Sequence, residues 1–329
     1  MRVHLAFVVA VCFSTAASAQ VRIGLMVSAT GPTSAIGIPQ KNTGDLLPKK
    51  IGDASVEYFS LEDGGDTTRA VQNAKKRWVF KTTQNDDLIA AALLKHMAKN
   101  GVRSIAFIGF NDPYGDNWLK VFSALGEKAG VKVIAAERFN RTDQSVTGQT
   151  LKMIAAKPDA MLIAAVGGPA VLPQATLRDQ GFKGTIYQTH AVATEDFIRL
   201  GKDKVEGTVL AAGPMLVIDE IPDSNPTKAV AQNYIALYKK QFGTVPATFG
   251  ANTWDSAILL ERAIPVALKA AKPGTEAFRS ALRDALEREN EVVGCQGVFN
   301  ISPTNHNGMD ERARVLVTVK DGKFRLIPE

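Results

Sequence analysis

The chain has 329 residues, 45% of them hydrophobic and 22% charged, with a formal net charge of +6. That balance excludes a disordered chain and a membrane bundle, and the length suffices for two domains with sizeable cores. Basic residues are spread in twos and threes, as in Lys75-Lys76-Arg77 and Lys239-Lys240, without interleaved aromatics. This reads as solvated surface and not as a nucleic-acid partner site.

The N-terminus stands apart. Arg2 precedes a short apolar run at 5–13 (LAFVVAVCF), and Ala17-Ser18-Ala19 supplies a small-x-small cleavage pattern. Together they predict an export signal over 1–19, a mature chain starting at Gln20 and a periplasmic location. The run is too short for a spanning helix. Cys12 leaves with it, so Cys295 alone remains and no internal disulfide can form. Cys295 is expected to be a packed small hydrophobe.

Beyond the signal, apolar runs alternate with amphipathic ones. Strands are predicted at Val21–Ser28, Val56–Leu61, Ile105–Gly109, Val131–Ala135, Ala160–Ala165 and Thr185–Gln188, their near-continuous apolarity matching parallel strands covered on both faces. Helices are predicted after Asp66, from Asp86-Asp87 to Gly101, from Tyr114 to Gly130 and from Lys228 to Gly243. The alternation implies doubly wound α/β architecture.

Motifs for chemistry are absent: no G-x-S-x-G, H-E-x-x-H, C-x-x-C, Walker loop or G-x-G-x-x-G occurs. His96, His190 and His306 are too scattered for a metal cluster, and His96 is expected on a helix surface. No catalytic residue, metal or cofactor is therefore predicted. Four polar loops follow strands instead: Ser28–Gly37, Asn111–Gly115, Val166–Pro169 and Gln188–Ala191. In open α/β sheets such loops face ligands beyond the carboxyl ends of the strands.

Seven segments carry a resemblance: VRIGLMVSATGP with SAIG, LEDGGDTTRAVQNA, RWVFKT, FIGFNDPYGDNW, PDAMLIAA, WDSAILLERAI and GVFNISPTNHNG. In this order they resemble the substrate-binding proteins of ABC transporters of the branched-chain amino acid type, closest to the subgroup implicated in aromatic or other organic acids. The resemblance implies a type I periplasmic binding fold: two Rossmann-like lobes, a three-strand hinge and a ligand between the lobes. Lobe 1 is expected over 20–99 and 218–305, lobe 2 over 100–217, and the C-terminal hinge with further lobe 2 strands over 306–329.

The resemblance also assigns roles. Ser28, Thr30 and Ile36 form the lobe 1 wall, and Tyr114 offers its ring and hydroxyl from lobe 2. Gly168 and Pro169 occupy a loop that often bears another tyrosine. His190 stands where amino-acid binders carry a carboxylate. An imidazole can donate to a carboxylate or phenol and is cationic when protonated, which favours an organic acid over a zwitterion. The alternative for His190 is a strand-end histidine bonded to local backbone; for Tyr114 it is a core aromatic. Trp118 is expected in the core.

One departure is large. After Ala74 relatives continue through two strands and a further helix, about 40–50 residues, before the segment matching RWVFKT. Here TTRAVQNAKK meets WVFKT with no turn residue between. Either an internal unit is deleted or residues are missing from the sequence. A truncated lobe 1 is expected either to re-pair Trp78–Thr82 against Val21–Ser28 or to stay partly molten, with a cleft lacking one wall.

The expected function is solute capture for an inner-membrane ABC permease by a monomer, with a small organic acid or amino-acid-like solute as ligand. Alternatives are a ligand sensor for a receptor, a periplasmic hydrolase using His190, and a deletion remnant that no longer binds. The intact mass of periplasmic protein should correspond to a chain starting at Gln20. A retained N-terminus would instead mean an anchored protein.

Overall fold

The computed structural model describes residues 20–62 and 76–328, so Asp66 and the first half of the Ala74–Arg77 seam lie outside it. Strands β1 (Val21–Val27), β2 (Lys50–Ile51) and β3 (Ala54–Glu62) form one sheet in the order β1-β3-β2. Strands β4 (Ser104–Phe110), β5 (Lys132–Phe139), β6 (Ala160–Ala164), β7 (Thr185–Gln188) and β8 (Val209–Ala212) are parallel and begin a second sheet. A hairpin of β9 (Val292–Val293) and β10 (Val298–Phe299) follows. Strands β11 (Val315–Lys320) and β12 (Lys323–Leu326) then complete the second sheet antiparallel, giving seven strands ordered β12-β11-β8-β7-β6-β4-β5. The two sheets define two lobes.

Lobe 2 is covered on both faces, as its apolar parallel strands require. Helices α2 (Asp86–Lys99) and α3 (Pro113–Ala129) bury Leu93, Trp118 and Phe122 against Phe107 and Leu162. Helices α4 (Thr147–Ala155), α5 (Val171–Asp179) and α6 (Glu195–Gly201) bury Met153, Leu177 and Phe197 with Phe110 and Ile163. Each such side chain contributes about 1.5–3 kcal/mol by leaving water. Helix α2 thus belongs to the lobe 2 sheet, and the boundary expected after residue 99 falls before residue 86.

Among the described residues, lobe 1 is covered on one face. Val21 and Val56 pack with Ile264 and Phe278 of α8 (Thr248–Ala270) and α9 (Glu276–Leu286), while α1 (Ser34–Leu46) lies along α8, and α7 (Thr227–Phe242) adjoins both. On the opposite face Arg22, Gly24 and Met26 stand in register with Glu57, Phe59 and Leu61. Met26 is 51% exposed, Phe59 37% and Leu61 46%. β1 pairs with β3 along its length, and Trp78–Thr82 does not re-pair with it.

The first crossover between lobes, residues 79–85, is held instead by the C-terminal segment. Lys81 N donates to His306 O at 3.1 Å, and Asn307 Nδ2 donates to Lys81 O at 2.8 Å and Thr83 O at 3.0 Å. Phe80 stacks on His306 at 4.1 Å. Gln84 Nε2 then donates to Ala313 O, 2.8 Å away on the third crossover. On the second crossover, a Cβ added to Gly213 would lie 2.0 Å from Gln296 Oε1 and 2.7 Å from Gln84 Nε2. The three crossovers therefore meet at one buried junction, where only hydrogen fits as the side chain of residue 213. Gln296 is fixed by Thr248 O at 2.8 Å and by Asp255, whose carboxylate accepts from Cys295 N at 2.6 Å and Gln296 N at 3.0 Å.

Amides of β1 (21–27) should exchange with deuterium faster than those of β4 and β6 (105–110, 160–164), because β4 and β6 are paired on both sides inside a two-faced core. Equal protection would show that lobe 1 is as closed as lobe 2.

Candidate ligand-binding site

Parallel pairing of β4, β6 and β7 puts their following loops at one end of lobe 2. Asp112 opens α3 by accepting from Tyr114 N at 2.9 Å and Gly115 N at 3.2 Å, and Arg141 pairs with it at 2.8 Å. Tyr114 Oη lies 2.8 Å from Thr189 Oγ1, and Thr189 donates to Ala165 O at 3.3 Å. The tyrosine hydrogen is therefore committed to Thr189, while the ring packs partly against the lobe 2 core. Burial holds the Tyr114 phenol well above the ordinary tyrosine range.

Gly168 and Pro169 begin a single turn after β6, half-buried. Their loop is tied to that of His190: Gly167 N donates to Ala191 O at 3.1 Å, and Gln188 Nε2 to Ala170 O at 3.3 Å. Tyr114, Gly168, Pro169 and His190 are thus brought to one surface.

His190 is 8% exposed, its ring 6.1 Å from that of Trp118. Nδ1 is buried without a hydrogen-bond partner. The alternative of a histidine bonded to local backbone is therefore not what forms. Burial first, and the Lys81 ammonium second, push its pKa down to about 3. The imidazole is neutral at physiological pH, which removes the cationic form expected to favour acids.

Lys81 and Asp86 reach the same region, a placement that local sequence patterns do not signal. Lys81 Nζ donates to Asn85 Oδ1 at 3.2 Å, and Asn117 Nδ2, beside Trp118, donates to Asp86 Oδ2 at 2.7 Å. Burial lowers the Lys81 pKa and raises that of Asp86, each opposed by the charge of the other.

The lobe 1 residues lie where the β1–α1 loop turns. A Cβ on Gly37 would sit 2.1 Å from the Ser28 carbonyl, so glycine permits this tight start of α1. Ala29 N donates to Glu62 Oε2 at 3.0 Å and Thr30 Oγ1 to Glu62 Oε1 at 3.3 Å, tying the loop to the end of β3. Ile36 is half-buried on α1. A cleft of about 1060 Å³ opens between Ala35, Ile38 and Tyr238 on one side and Thr194, Val217 and Phe324 on the other. It touches none of the seven predicted site residues. Its walls are mainly apolar, whereas buried polar atoms without partners, Trp118 Nε1, Gln188 Oε1 and His190 Nδ1, gather around His190.

His96, expected on a helix surface, is half-buried on α2, with Nδ1 3.0 Å from Tyr187 Oη. His306 bonds Val79 O at 3.1 Å and Glu287 at 3.1 Å. Cys295 is fully buried and free, its thiol pushed far up by burial and by Asp255.

Two lobes, three crossovers and polar loops at the strand ends define a hinged binding protein. The chain belongs to the periplasmic binding protein family, whose model matches residues 74–323. No curated protein sequence matches it. Among solved structures, an extracellular ligand-binding receptor from Rhodopseudomonas palustris HaA2 is 41% identical, with a TM-score of 0.89, covering 94% of this chain and 100% of that one. A leucine binding protein from Thermotoga maritima is 19% identical, with a TM-score of 0.77 over 94% of this chain and 98% of that one. An ABC transporter solute binding protein from R. palustris, in complex with benzoate, is 16% identical, with a TM-score of 0.74 over 94% and 95%. The family consists of solute-binding proteins of the periplasm, and no helix among the described residues is long and apolar enough to cross a membrane.

Because His190 stays neutral in the fold while an unfolded histidine gains its proton near pH 6.5, the unfolded state binds more protons between pH 6.5 and about 3. Stability from this group falls as the pH falls through that window. Asp255, raised to about 7 by burial, acts oppositely between about pH 7 and 4. The His190 contribution is therefore read as a difference: His190→Gln should gain on wild type by up to about 1.4 kcal/mol per pH unit on acidification. Parallel unfolding curves across pH 4–7 would contradict a neutral buried imidazole.

Proposed function

We propose that this protein is exported through a cleaved signal ending at Ala19 and, as a monomer, captures a small organic acid or amino-acid-like solute. The lobes close on the solute about the three crossovers, and the loaded protein delivers it to an inner-membrane ABC permease. The observation that carries this reading is the partnerless buried imidazole of His190 beside Tyr114, at the carboxyl ends of β4, β6 and β7. A buried polar group without a partner costs about 1–3 kcal/mol, which a ligand hydrogen bond would recover. Two fold relatives, a leucine binding protein and a solute binding protein in complex with benzoate, support the two solute classes.

We also infer that lobe 1 has lost a βαβ unit at the seam near residue 75. Three observations support this: among the described residues, a sheet of three strands against seven and the exposed apolar side chains of β1 and β3, and in the sequence the missing turn residues.

The reading is tested by thermal shift against amino acids, aromatic acids and aliphatic acids, with each hit checked for turnover. A saturable rise in melting temperature without product is expected, since a ligand of the native state adds stability. Tyr114→Ala should weaken the hit more than tenfold, about 1.5–3 kcal/mol for a lost ring contact and an unpaired polar group. Product formation would favour the hydrolase, and silence across the panel would favour the remnant.

A further inference from the structure

Trp78 and Phe80 both line a groove against Leu282 and Leu286 of α9, while Lys81 reaches Asn85 and the surroundings of His190. The first crossover thus presents its aromatic residues to lobe 1 and an ammonium towards lobe 2. Lys81 keeps an exposed surface yet lies deep enough for burial to lower its pKa, as befits a group lining a cleft.

We propose that Lys81, carried by the hinge crossover, is the residue that recognises a ligand carboxylate, and that it selects monoanions; this rests on the solute-binding reading above. An ammonium has three N–H donors, and Lys81 spends one on Asn85. Among the described residues no carboxylate lies within ion-pair distance of it. The other cations near Tyr114 are engaged: Arg141 pairs with Asp112 at 2.8 Å, and Arg138 with Asp116 at 3.0 Å. His190 is neutral and supplies no charge. Lys81 is therefore the cation with donors to give beside the partnerless imidazole.

The anion preference follows from what surrounds the lysine. Asp86 and Asp87 at the start of α2 act on Lys81 through their charge, and Asp86 also acts on Tyr114. One carboxylate on Lys81 is balanced by its ammonium, but a second negative charge would face Asp86 and Asp87 uncompensated. Dicarboxylates are thereby disfavoured.

The test is calorimetry with matched pairs, leucine with leucinamide and 3-phenylpropanoate with its primary amide, plus phenylsuccinate as a dianion. Wild type should prefer at least one acid over its amide by tenfold or more, and phenylpropanoate over phenylsuccinate. Lys81→Met should abolish the acid preference without changing the unliganded melting temperature, and Lys81→Arg should restore it. Acid affinity should decline with rising pH below the ordinary lysine range, because the charged form binds and Lys81 loses its proton early; Asp86, Asp87 and His190 are the titratable groups facing it. An unchanged acid preference in Lys81→Met overturns the assignment alone, as does an equal loss of acid and amide. Tighter binding of phenylsuccinate than phenylpropanoate overturns the monoanion selectivity. Binding of no probe by wild type overturns the solute-binding reading and this one with it.

Discussion

The junction of Gln84, Gly213, Gln296 and Ala313 is the constraint on which the molecule depends. Both lobes are discontinuous in sequence, so each crossover must pass the same narrow place, and there the backbone meets buried amides instead of water. Gln84 donates to Ala313 O, and Gln296 to Thr248 O and Oγ1, so replacing either amide by an apolar group would remove a buried hydrogen bond. Asp255 secures the turn carrying Gln296 through two backbone N–H groups. Rotation of one lobe against the other must therefore be absorbed around this knot, within crossovers too short to drift independently.

Burial governs the chemistry that the junction presents. It drives His190 down, lifts the Tyr114 phenol and lowers Lys81, so each group is pressed towards its neutral form. For His190 and Tyr114 the outcome is complete at physiological pH, and both act as neutral hydrogen-bonding groups. For Lys81 the charges of Asp86 and Asp87 oppose the trend. Desolvation and nearby charge thus divide one small region into neutral donors and acceptors, plus a single ammonium. Reading His190 as a potential cation from its residue type alone could not anticipate this.

Much of the fold was legible because its signals are local. Apolar runs such as 105–109 and 160–165 announce parallel strands, and Gly130 and Gly243 end α3 and α7 where expected. Tyr114 and His190 were legible as strand-end residues, since their loops follow apolar strands directly. What escaped was long-range. The lobe to which α2 belongs depends on packing against Phe107 and Trp118, and no pattern within residues 86–99 reveals that. His96 is half-buried because Tyr187, on a strand far along the chain, offers a hydroxyl. Lys81 sits in an apparently extended apolar segment, and only the anchoring of that segment by His306 and Asn307 determines where its side chain goes.

The asymmetry of the lobes shapes how closure can work. Lobe 2 and the first crossover hold Tyr114, His190 and Lys81, so the polar groups able to orient a ligand are assembled without lobe 1. From lobe 1 the β1–α1 loop has already committed Thr30 Oγ1 to Glu62, and what α1 offers towards the cleft is chiefly apolar, with Ile38 and Pro39 among its residues. Closure needs contacts that exist only in the closed state. On this arrangement they are apolar and steric, while the contacts that discriminate charge are made in the open state as well. Under the proposed role of Lys81, specificity for an acid group would reside in the open protein, and lobe 1 would add retention by excluding water from the ligand's apolar body.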